Sequence, residues 1–114
     1  MTREFIYFKV FEKSWGEMGL TDDDLAELEN SIIRTPNIGK VIRGTGGVRK
    51  MRFVLPDNTK GKSGGARVLF VDYVSQKKTV LLNAYSKGEK DSITDAEKKQ
   101  LKKIVEGVSK ELGK

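Results

Sequence analysis

Eight basic side chains, Lys40, Arg43, Arg49, Lys50, Arg52, Lys60, Lys62 and Arg67, stand against one acid, Asp57, between positions 40 and 67, a net charge of +7 where the whole 114-residue chain carries +6. A localised field of this kind attracts polyanions and speeds their encounter. The chain contains neither histidine nor cysteine, which removes the commonest general base, the commonest metal ligand, thiol nucleophiles and disulfides. Chemistry is left to lysine, arginine, tyrosine and carboxylates. One reaction suits that set, the metal-free cleavage of RNA, because the substrate's own 2′-hydroxyl is the nucleophile. The protein then has only to assist deprotonation, hold the attack in line, stabilise charge on the phosphate oxygens and help the 5′-oxygen leave. Arginine stays protonated and offers a planar fork of donors, and Arg52 and Arg67, on neighbouring predicted strands, fit the charge-stabilising task. A lysine serves as base when neighbouring like charges lower its pKa, which Lys50, Lys62 or Lys87 could supply. Tyr85 could orient the phosphate or stack on a base. The same face would also serve a protein that binds RNA without cutting it, since composition does not separate the two.

Other chemistries fit less well. In Lys60-Gly61-Lys62-Ser63-Gly64-Gly65 a nucleoside triphosphatase loop would need an earlier glycine where the chain has Leu55-Pro56, and a helix where a strand follows. Gly44-Thr45-Gly46-Gly47 also precedes a strand and reads as a turn, not a dinucleotide fingerprint. Asp57, Asp72 and Asp91, the carboxylates nearest the strands, read as turn or strand-end residues, so neither a metal nor another cofactor is expected.

The elements that must hold the basic face can be read from periodicity. Glu4 to Phe11, dense in aromatic and β-branched residues, predicts a first strand, with Trp15, Met18 and Leu20 in a connector. Thr21 followed by Asp22, Asp23 and Asp24 predicts a helix start, a hydroxyl cap followed by acids at the positive end of the dipole. Leu25, Leu28, Ile32 and Ile33 continue that helix to Pro36. Val48 to Leu55 predicts a strand with Met51, Phe53 and Leu55 buried on one face and Lys50 and Arg52 projecting from the other. Ala66 to Tyr73 and Lys78 to Tyr85 complete a three-stranded antiparallel meander. Thr94 and Glu97 form a capping box that opens a terminal helix. Its Leu101, Ile104, Val105, Val108 and Leu112 form an apolar stripe, which packs on the sheet or, in a partner-dependent protein, serves as a docking face. No repeat or linker divides the chain, so a single domain over 1–114 is expected. No run has the length of a membrane span and no leader is evident, so the expected address is the cytoplasm.

Nearly the whole chain resembles the toxins of the RelE/ParE superfamily, in particular the HigB-like branch of type II toxin-antitoxin systems. The resemblance lies in the apolar first strand with Phe11-Glu12-Lys13, the helix exit Pro36-Asn37-Ile38-Gly39, the run Val41 to Arg52, the segment Lys60 to Arg67, and Tyr85-Ser86-Lys87. It implies an α+β, RelE-like microbial-ribonuclease fold, a twisted antiparallel sheet with packed helices and a C-terminal helix. It further implies a metal-independent endoribonuclease that cleaves messenger RNA in the ribosomal A site. A cognate antitoxin silences it, with a helix-turn-helix domain, HigA-like, through which operator DNA is bound. By position, the resemblance implies catalytic roles for Lys50, Arg52, Arg67, Tyr85 and Lys87 and RNA contacts for Arg49, Lys60 and Lys62. Some members of the superfamily instead inhibit gyrase without cleaving anything, so that reading stays open.

Overall fold

A computed structural model describes residues 3–54, 65–86 and 92–112. Five strands and three helices follow in the order β1 (Glu4–Tyr7), α1 (Lys9–Glu17), α2 (Asp22–Arg34), β2 (Lys40–Val41), β3 (Arg49–Phe53), β4 (Ala66–Tyr73), β5 (Lys78–Ser86) and α3 (Asp95–Glu111). The sheet order is β1-β5-β4-β3-β2. The meander β3-β4-β5 is antiparallel as expected, and β2 extends it in the same sense. β1 joins the far edge parallel to β5.

The amino-terminal expectation needs correction. The first strand stops at Tyr7, and Lys9–Glu17, read as strand end and connector, is helical. Density of aromatic residues favours a strand, but Phe11 and Trp15 are four apart and so share one helical face. Their rings stack with centroids 5.3 Å apart, and Trp15 continues onto Phe53 of β3 at 5.6 Å. The indole Nε1 donates to the Thr21 carbonyl at 3.1 Å, tying α1 to the start of α2. At that start Thr21 and Asp24 exchange hydrogen bonds in a capping box, which satisfies backbone donors that a helix leaves open.

Helices cover both faces of the sheet. On one, Phe11, Trp15, Leu28 and Ile32 pack against Met51, Phe53, Val68, Phe70 and Leu81. On the other, Leu101 and Val105 of α3 pack on Val48, Leu69, Val71, Val80 and Leu82, with Ile104 and Val108 partly buried beside them, so the stripe from Leu101 to Val108 packs on the sheet while Leu112 lies outside both core clusters. Double coverage explains why β4 buries Val68, Leu69, Phe70 and Val71 in succession, a pattern that alternation alone would not give. Each such side chain stabilises the fold by about 1.5–3 kcal/mol on burial.

A bulge in β5 decides which face Tyr85 occupies. Leu69 pairs with Asn83 while Phe70 pairs with Leu81, which leaves Leu82 as the extra residue. Because side chains alternate with period two, one inserted residue switches every later side chain to the opposite face. Val80 and Leu82 face α3; past the bulge Ala84 joins the α1/α2 core, and Tyr85 returns to the α3 side. Asn83 braces the irregularity, its Oδ1 accepting from the Ala84 backbone N–H at 2.8 Å and from Ser14 Oγ at 3.4 Å.

Candidate active site

Three of the expected site residues lie in one cross-strand row. Arg52 of β3 is opposite Arg67 of β4, and Arg67 is opposite Tyr85 of β5. Adjacent strands are about 4.8 Å apart, so the row spans roughly two strand spacings on the face that α3 partly covers. Lys50 lies two residues before Arg52 on the same face, opposite Leu69 on one side and Lys40 of β2 on the other. Arg52 is exposed, Lys50 and Arg67 are half-buried, and Tyr85 is only 7% exposed. Two arginines directly opposite each other repel, a pairing that makes physical sense where an anion is to be bound between them.

Tyr85 connects the arginines to α3. Burial pushes its phenol pKa up; the Arg67 charge pulls it down and the Glu97 carboxylate raises it again. The hydroxyl therefore stays protonated, a donor, through the whole neutral range. Its low exposure suits a group that orients a phosphate or Arg67 better than one that stacks on a base.

Glu97 is the residue that sequence reading used only as a cap. Its Oε1 accepts from the Thr94 backbone N–H at 2.8 Å, while Thr94 Oγ1 accepts from the Glu97 N–H at 3.2 Å. The same side chain lines a groove of about 460 Å³ with Tyr85, Asn83, Ser14, Gln100 and the apolar Phe8, Val10 and Ile104. The available signal was spacing: Glu97, Leu101 and Ile104 fall at i, i+4 and i+7, so the cap residue shares the sheet-facing stripe.

Arg49 stands apart from the row. It alternates with Lys50 and so lies on the face of Met51 and Phe53, with Nη1 donating to the carbonyls of Asn37 at 3.0 Å and Gly39 at 3.2 Å. It ties β3 to the exit of α2. Asp72 pairs with Arg3 at 2.5 Å and accepts from Thr79 Oγ1 at 2.7 Å, a structural role at the other end of β4. Lys60, Lys62 and Lys87, with Asp57 and Asp91, lie outside the described residues.

A mixed α+β fold with helices on both faces of a five-stranded sheet and a C-terminal helix is the RelE-like architecture that the resemblance implied. The family identity is specific. Residues 5–112 match the profile described as the RelE toxin of the RelE / RelB toxin-antitoxin system, and the chain belongs to that family. Among solved structures, the chain is similar to a free-state arginine-to-alanine double mutant of the E. coli toxin RelE, with a TM-score of 0.53 and 15% identity over 80% of this chain and 90% of that one. At that identity the likeness shows the fold. Membership makes this chain a toxin of a toxin-antitoxin pair, with an antitoxin as its partner. Among the described residues no helix is long and apolar enough to cross a membrane.

Proposed function

We propose that this toxin is a ribosome-dependent endoribonuclease of the HigB-like branch, which cleaves messenger RNA in the A site without a metal and is neutralised by a cognate HigA-like, helix-turn-helix antitoxin that alone contacts operator DNA. The observation that carries this reading is the Arg52-Arg67-Tyr85 row: two fixed cations and a protonated phenol in register on rigid strands. The 2′-oxygen attacks phosphorus, the bond to the 5′-oxygen breaks, and a 2′,3′-cyclic phosphate and a 5′-hydroxyl result. Arg52 and Arg67 hold the non-bridging oxygens as negative charge grows there, the kind of preorganised stabilisation that is commonly the largest catalytic contribution. Tyr85 fixes Arg67 and donates toward the phosphate. Lys50, and Lys87 from the chain that follows Tyr85, supply proton transfer, and Lys60 and Lys62 grip the RNA. The ribosome delivers a single-stranded codon in extended form and so supplies the alignment that the row needs.

End-group analysis tests this directly. Messenger cut on programmed ribosomes should carry 2′,3′-cyclic phosphate and 5′-hydroxyl ends. Fragments with 3′-hydroxyl and 5′-phosphate ends would assign the attack to water and overturn the role given to the 2′-hydroxyl.

A further inference from the structure

The row occupies one end of the α3-covered face, and a second positive concavity lies at the other. The turn from Gly44 to Gly47 joins β2 to β3 and is locked from within: Thr45, fully buried, donates to the Ile42 carbonyl at 2.7 Å and accepts from the Val48 N–H at 3.0 Å. Gly44, Gly46 and Gly47 have φ of 79°, 81° and 117° and are exposed, so the turn presents bare backbone in a conformation that side chains disfavour. Gly46 sits against Val105 of α3, where an added Cβ would lie 3.4 Å from Cγ1. Between turn and helix runs a groove of about 620 Å³ lined by Gly46, Lys102, Lys103, Glu106, Ser109 and Lys110. Lys102, Lys103 and Lys110 are exposed, as is Arg43 at the start of the turn. Three lysines against one carboxylate in the groove, with Arg43 beside a turn whose single side chain, Thr45, is buried, make a site where a phosphate backbone can approach closely.

From Arg49 to Arg52 the chain advances about 10 Å along β3, and the turn lies beyond Arg49. One scissile phosphate cannot reach both places, whereas an extended polyanion can. We propose that the glycine turn and the lysine face of α3 form a second RNA-binding surface, which holds a run of phosphate backbone other than the one being cleaved. The proposal rests on the endoribonuclease reading for the identity of its polyanion. The surface anchors the toxin on RNA and leaves the row to the scissile bond, so its contribution falls on binding more than on the chemical step.

The test is the full-length variant Lys102→Gln/Lys103→Gln/Lys110→Gln, with Glu106→Gln as its opposite. Binding to vacant ribosomes and to a free single-stranded RNA is measured by filter retention across a salt series, alongside single-turnover cleavage on programmed ribosomes. Three lost phosphate contacts should reduce the magnitude of the slope of log K against log salt by about 2–3 and weaken binding about tenfold or more at low salt. Glu106→Gln should tighten binding. The loss in cleavage should appear in KM, with kcat within about threefold. A reduced slope on ribosomes alone identifies ribosomal RNA as the occupant, and a reduced slope on the free strand identifies messenger. Wild-type slope and affinity on both RNAs in a variant of unchanged thermal midpoint would overturn the proposal, as would a loss confined to kcat. If wild type binds with the expected slope but cleaves nothing, the endoribonuclease reading fails and the surface stands.

Discussion

At the residue scale the two arginines and the tyrosine divide the work differently, and their substitutions should separate. Arg52 and Arg67 face each other across β3 and β4, so neutralising one relieves a repulsion while removing a phosphate ligand. Arg52→Gln should leave unfolding free energy within about 0.5 kcal/mol of wild type and lower the cleavage rate by about 10²–10³, read from urea melts and single-turnover assays on the same preparation. Among the described residues, two tyrosines hold their protons more tightly than a free phenol. Burial, and then the hydrogen bond to Glu29 and its charge, push the Tyr7 pKa well above the ordinary value, and Tyr85 is raised chiefly by burial. The folded state therefore holds these protons more tightly than the unfolded chain. Their stability contribution is complete below about pH 10, the unfolded tyrosine value, and declines as pH rises from there through the folded values. Tyr7→Phe should flatten the fall in urea midpoint above about pH 10 relative to wild type; an unchanged fall would mean that Tyr7 does not titrate with unfolding. Lys50 and Arg52 were legible at this scale because strand alternation separates them from Met51 and Phe53. Glu97 was not, because a capping box is a sufficient reason for a glutamate at that place and hides a second one.

At the element scale the decisive feature is the bulge in β5. Read by simple alternation, Lys78 to Tyr85 puts Tyr85 on the face of Thr79 and Leu81, away from Arg67. The extra residue at Leu82 puts it back, and no periodicity in the sequence announces it. The side chain that braces the bulge, Asn83, reads as an ordinary polar residue in a strand. Asn83→Ala should cost about 1–2 kcal/mol through the lost acceptor for the Ala84 N–H. It should also reduce cleavage beyond what the stability change explains, because Tyr85 loses its alignment; heteronuclear NMR shifts of Tyr85 and Arg67 would show the displacement. The amino-terminal helix was missed for a related reason. Its aromatic residues have strand propensity, and tertiary stacking of Phe11 and Trp15 on the sheet outweighs that preference. By contrast α2, the meander and α3 were all legible from caps and spacing, which are local signals. Gly65 marks where the chain re-enters the sheet: its φ is +67°, and a Cβ there would lie 2.3 Å from the Phe53 carbonyl oxygen. Gly65→Ala must therefore push β3 and β4 apart next to Arg52 and Arg67. It should destabilise by more than about 1 kcal/mol and lower cleavage while the distant Arg3–Asp72 pair persists.

At the scale of the whole molecule, charge is segregated by face. The row, Lys50 and the lysines of α3 share one side of the sheet, while the opposite side is closed by α1, where Lys9 and Lys13 balance Glu12 and Glu17, and by the acidic α2, whose first turn carries Asp22 to Asp24. A toxin with this asymmetry approaches a polyanion one way round, with an encounter rate that falls steeply with salt. In the proposed function the arginine row cleaves messenger RNA on the ribosome. Primer extension on a defined messenger, with purified toxin, with and without programmed ribosomes, for wild type and Arg67→Ala, tests it most directly. New 5′ ends at A-site codons that require both the ribosome and Arg67 are the predicted result. Intact messenger in every lane, or equal cleavage by Arg67→Ala, would contradict it.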